Sequence, residues 1–158
     1  MVVAGGAGSR LRGKGVRVGV EENKARVCAY FEAIEGGDRS GLIALFHPEV
    51  RWRVPKGAIE PYGGMHHGAH KISEMMLGAV GTAFVPGTQR IEVRLMLAEG
   101  DVVVAETRMT AKRPARAGQP LPDYDNDYVF VVELEAGKIV EIREHVDTRY
   151  AAETFGGG

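Results

Sequence analysis

Two stretches near the end of the chain alternate polar and apolar side chains at every second residue. Tyr124-Asp125-Asn126-Asp127-Tyr128-Val129-Phe130-Val131-Val132-Glu133-Leu134 is followed by Glu135-Ala136-Gly137 and then by Lys138 to Asp147. Period two predicts a pair of strands, and the glycine supplies the backbone freedom a tight turn requires. Asn126, Tyr128, Phe130, Val132 and Leu134 share one face of the first strand. In the second, Val140, Ile142 and Val146 fall on one face, against Glu141, Arg143, His145 and Asp147 on the other. Glu144 is in register with the apolar set. A carboxylate there is costly unless it is paired or has a purpose. Two readings follow: Glu144 pairs with an arginine or lies at an open end of the sheet, or it faces a ligand. If Asn126 and Tyr128 lie beside it, three polar groups converge at the mouth of an apolar chamber.

The upstream pattern predicts helices first and strands afterwards. Val27, Tyr30, Phe31 and Ile34 recur at helical spacing over Glu22–Glu35, and Gly36-Gly37 ends that helix. Asp38 can cap a shorter helix carrying Leu42, Ile43, Leu45 and Phe46, which Pro48 limits. Val50, Trp52 and Val54 alternate with Arg51 and Arg53 in a short strand ending at Pro55. Residues 56–67 read as a loop. A third helix is expected over Ala69–Val80, with Gly81 as its stop. Ile91, Val93, Leu95 and Leu97 then alternate with Arg90, Glu92, Arg94 and Met96, and Glu99-Gly100-Asp101 is a turn. The strand from Val102 to about Lys112 has an apolar-leaning face of Val103, Ala105, Thr107, Met109 and Ala111. Residues 114–122 are a proline-rich connection, and Thr148–Phe155 can form one or two helical turns. The class is α+β, with helices on one face of an antiparallel sheet.

A chain of 158 residues is one domain's worth. Its formal net charge of -1 gives no argument for nucleic acid or an anionic membrane, and no apolar run approaches the ~20 residues of a membrane span. The single cysteine, Cys28, lies in a helical apolar pattern and reads as a buried small hydrophobe. It permits no internal disulfide, which fits a reducing cytoplasm. Residues 1–20 are rich in glycine and basic residues. Gly5-Gly6-Ala7-Gly8-Ser9-Arg10-Leu11 superficially resembles a phosphate loop but lacks the buried strand before it and the helix after it. The leader could also be a targeting peptide, though without a convincing amphipathic helix; a poorly ordered tail is the expectation, with one domain over 21–155. His66 and His67 are adjacent, so their side chains diverge. No spaced third ligand follows, and no metal or other cofactor is expected. A solvated loop and one histidine dipping into a pocket both stay open there. Trp52, the one tryptophan, reads as core or as a pocket wall.

Four pieces in this order carry a resemblance over about residues 22–155. They are Gly36-Gly37-Asp38, Trp52, Tyr124-Asp125-Asn126-Asp127-Tyr128, and Gly137-Lys138-Ile139-Val140-Glu141-Ile142-Arg143-Glu144-His145-Val146-Asp147-Thr148. Together they resemble the nuclear transport factor 2-like superfamily, in its SnoaL-like, ketosteroid-isomerase-related branch. The resemblance implies a curved sheet wrapped round helices into a cone with a deep pocket, and a dimer formed through the sheet. Val102, Val104, Val129 and Val131, opposite the pocket face, fit that dimer. Limonene epoxide hydrolases of this superfamily use an Arg and an Asp on the strand matching 102–112, plus an acid on the last strand. Glu144 matches that acid, but the other two positions fall at Thr107 and Met109, so the trio is broken. Polyketide cyclases and steroid isomerases use an acid as a proton shuttle on an acidic C–H. Glu144 as acid or base, with Tyr128 and Asn126 holding an enolate, could supply that set. Trp52, Thr107, Met109, Val146 and His66 are the candidate contacts for a small apolar, carbonyl-bearing substrate. A binding protein without turnover and a dimeric interaction module are the rival readings.

Overall fold

The computed structural model describes residues 18–155. Residues 1–17 of the expected tail lie outside the described residues. Helix α1 spans Val20–Gly36 and buries Val27, Tyr30, Phe31 and Ile34, the set predicted from spacing. Gly37 ends it at φ 67°, a left-handed conformation that glycine adopts without strain. Asp38 caps α2 (Arg39–Leu45), its Oδ1 accepting from the Gly41 amide at 2.9 Å. Strand β1 (Phe46–Val54) runs through Pro48 and begins four residues before the expected strand. Strand β2 (Gly64–His67) occupies the end of what the sequence reads as loop. Helix α3 (Ala69–Ala83) continues past Gly81; a glycine inside a helix costs only about 1 kcal/mol, and the packing of Ile72, Met76 and the following Phe84 into the core outweighs it.

Then come β3 (Arg90–Glu99), β4 (Val102–Ala111), β5 (Tyr124–Glu135), β6 (Lys138–Val146) and α4 (Thr148–Phe155). Strands β3 to β6 join β1 and β2 in one six-stranded sheet in the order β2-β1-β6-β5-β4-β3. Every pairing is antiparallel except β1 with β6, which is parallel. The result is a curved open sheet of α+β class with the main helices on its inner face. Ala136 and Gly137, both at positive φ, form the two-residue loop of the β5–β6 hairpin.

Two bulges change which residues face inward. In β6 the pairing steps from Leu134–Ile139 to Glu133–Glu141, so Val140 is an extra residue. Ile139, not Val140, is therefore the buried partner of Ile142. The alternation beyond the bulge puts Ile142, Glu144 and Val146 inside, as expected. In β3 the register shifts between Val93 and Leu95. Met96 and Ala98 pack against the core, while Leu95 and Leu97 turn outward and are 49% and 59% exposed. The expected single face of Ile91, Val93, Leu95 and Leu97 is thus split. Cys28 is half-buried rather than buried.

Candidate functional site

The helices do not fill the concave side of the sheet. A cavity of about 390 Å³ remains between the inner faces of β1, β4, β5 and β6, helices α1 and α3, the segment 58–62, and α4. Its wall is apolar: Ile34, Val54, Met76, Phe84, Phe130 and Phe155 are representative. Its polar groups are few, and one of them is Glu144. Among the described residues that line it there is no lysine, arginine or histidine.

Glu144 stands on β6 directly across from Phe130 of β5. Trp52, on the inner face of neighbouring β1, donates its indole N–H to Glu144 Oε2 at 3.0 Å. Glu144 makes no ion pair among the described residues. The accessible surface it retains opens into the cavity, where little water can solvate a charge. Burial accordingly raises its pKa from 4.5 to about 7, against the opposing pull of the Trp52 hydrogen bond. Its charge is felt by three phenols around it. Tyr30 and Tyr128 are pushed well above the usual tyrosine range, first by burial and then by nearby groups that include Glu144. Tyr124 is raised too, again chiefly by burial. All three stay protonated and able to donate.

Tyr124 and Tyr128 point the same way from β5, two alternations apart, and their hydroxyls meet at 2.5 Å. Asn126 lies between them in sequence and donates its Nδ2 to the Tyr124 hydroxyl at 3.0 Å and to the Asp147 carbonyl at 3.3 Å. It is buried and does not reach the cavity. Its part is to hold Tyr124 and the start of α4. Helix α4 is fastened further by Tyr150, whose hydroxyl accepts from the Asp125 amide at 3.1 Å.

The other sequence-derived candidates divide. Trp52, Met109, Val146, Tyr128 and Glu144 all line the cavity. Trp52 is core and pocket wall at once, since it is only 5% exposed. Thr107 is fully buried but not in the wall, and its hydroxyl has no hydrogen-bond partner among the described residues. His66 packs against Trp52 with the rings tilted by 44° and their centroids 5.3 Å apart, and donates from Nε2 to the Tyr62 carbonyl at 2.6 Å. It braces the segment that covers the cavity and does not enter it. Tyr30 and Tyr124 are wall residues not among the candidates. The alternation that selected Asn126 and Tyr128 also contains Tyr124, two positions earlier. Tyr30 was legible only as part of a helical core stripe.

The geometry defines a class: a small α+β roll closed around an apolar cavity that holds a single acid and a set of phenols. The SnoaL-like domain family matches residues 27–142, and the chain belongs to that family. Solved structures share the fold. An NTF2-like protein from Burkholderia xenovorans is 23% identical, with a TM-score of 0.66 over 86% of this chain and 97% of its own. Bal32a, from a soil-derived mobile gene cassette, is 26% identical, with a TM-score of 0.70 over 86% and 97%. A protein from Jannaschia sp. CCS1, proposed to be a SnoaL-like polyketide cyclase, is 19% identical, with a TM-score of 0.72 over 91% and 99%. No curated protein matches the chain.

Proposed function

We propose that this protein is a proton-transfer enzyme acting on a small apolar substrate that carries a carbonyl group, of isomerase, cyclase or dehydratase type. The observation that supports this reading is Glu144: an acid with a pKa of about 7, held at one oxygen by Trp52 and lining an apolar cavity. A base with such a pKa combines a useful ionised fraction at neutral pH with real driving force for taking a proton. Glu144 Oε1 removes a proton from carbon next to the carbonyl. The C–H electron pair moves into the enolate, whose oxygen accepts a hydrogen bond from the Tyr128 hydroxyl. Asn126 donates to Tyr124, and Tyr124 can donate to Tyr128, which frees the Tyr128 proton for the ligand. The same carboxyl then returns the proton, to a second carbon in an isomerisation or to a departing oxygen in a dehydration.

The test is deuterium uptake at the α-carbon of apolar cyclic ketones in D2O, followed by NMR. Exchange should rise with pH through Glu144's pKa near 7 and fall at least about a hundredfold in Glu144→Gln. Unchanged exchange in that variant would remove the proposal. Ketones that bind without exchange would favour the binding-protein reading. The outward apolar side chains Leu95, Leu97 and Val129 also favour a homodimer through the sheet face. That association leaves the cavity, on the opposite face, complete within one chain.

A further inference from the structure

Among the described residues, the cavity carries one formal charge and nothing to balance it. Four of the sheet's six arginines are engaged on its outer face: Arg51 with Glu141, Arg94 with Asp127, Arg108 with Asp125, and Arg143 with Glu133 and Glu141. Among the described residues, no cation lines the chamber and Glu144 has no ion-pair partner. Around it stand aromatic rings. Phe130 faces it across the strand pair, and the Tyr128 and Phe130 rings are stacked within 2° of parallel, 5.7 Å between centroids. Tyr30 meets Phe130 edge-on at 6.3 Å, and Trp52 holds the carboxylate itself. A lone buried carboxylate among aromatic rings is the chemistry that receives an organic cation.

We infer that this cavity is also a receptor for lipophilic ammonium ions, with Glu144 as the counter-ion and the surrounding rings as a cation–π wall. This goes beyond the proton-transfer reading and does not depend on it. Burying an ammonium is costly unless its partner is already in place. Here the carboxylate has been desolvated by folding, so the ligand brings only its own desolvation to the complex. The aromatic wall tolerates a quaternary centre, which water solvates weakly. An anionic ligand meets the opposite situation, since it would sit beside a carboxylate with no cation to offset it.

The test compares phenyltrimethylammonium with tert-butylbenzene, two probes of the same shape in which nitrogen replaces carbon. Binding is read at pH 8.5 from the fluorescence of Trp52, the one tryptophan of the chain. The cation should bind at least about tenfold more tightly than its neutral isostere. Benzenesulfonate should bind more weakly than either. Glu144→Gln should bring phenyltrimethylammonium down to the affinity of tert-butylbenzene for the same variant. Equal or tighter binding of tert-butylbenzene to the unaltered protein would overturn the inference, as would a cation preference that survives in Glu144→Gln. The isostere comparison stands even if that variant folds poorly. Ketone exchange without a cation preference would refute this inference alone, and the reverse result would refute the enzymatic reading alone.

Discussion

Replacing Glu144 by Gln tests the site through stability, without any substrate. The folded-state pKa lies above the ordinary carboxylate value, 4.5 against about 7. Below pH 4.5 both folded and unfolded chains hold the proton, and the residue contributes no pH-dependent term. As pH rises from 4.5 to 7 the unfolded chain releases the proton first, so stability falls. Above pH 7 the loss is complete. At about 1.36 kcal/mol per unit it amounts to roughly 3 kcal/mol. Gln is neutral throughout and near in shape, and its carbonyl oxygen can still accept from Trp52. The charge-assisted part of that bond in the parent is already contained in the pKa of about 7. Glu144→Gln should therefore be about 3 kcal/mol more stable than the parent at pH 8, a rise of roughly 6–12 °C in melting temperature for a chain of this length. The advantage should vanish toward pH 4.5. Thermal melts of the two proteins side by side from pH 4.5 to 8.5 isolate this residue, because the other titrations cancel in the difference. A Gln variant that is less stable at pH 8, or a difference that ignores pH, would refute the reasoning. Either would mean that Glu144 is solvated or paired.

Thr107→Val replaces a fully buried hydroxyl that has no partner among the described residues; it should raise stability by about 1 kcal/mol in a denaturant melt and leave probe binding in the cavity unchanged. Leu97→Asp places a charge on a leucine that is 59% exposed at the outer sheet face. Light scattering at micromolar concentration should show the parent as a dimer and this variant shifted toward monomer, with its melting temperature nearly unchanged; a parent that is monomeric would end the dimer proposal.

The hairpin that carries Glu144 was legible because its pattern is strict and its turn contains Gly137. The acid stood out because it occupied a position where its neighbours Ile142 and Val146 are apolar. Depth was not legible. Alternation places Asn126, Thr107 and Tyr128 on the inner face alike, yet one braces a tyrosine, one is sealed in the core and one reaches the cavity. That difference is decided by which helix or segment covers each of them. Strand β2 escaped notice because four residues containing a glycine and two histidines show no period. Its pairing comes from β1, with Trp52 opposite His66. The bulges escaped for a related reason. A single extra residue, at Val140 or at Arg94, costs little locally and is fixed by the partner strand.

The irregularity in β3 has a consequence for how the sheet ends. β3 is one of its two outermost strands, and a long straight outermost strand is a template on which another chain can add. The register shift between Val93 and Leu95 interrupts the row of free amides and carbonyls halfway along that strand. Arg90, Glu92 and Arg94 add charge over its first half. The same step that turns two leucines outward thus makes the strand a poor seed for fibrous growth. The dimer proposed above would use the broad side of the sheet instead, and such an assembly closes on itself after two copies.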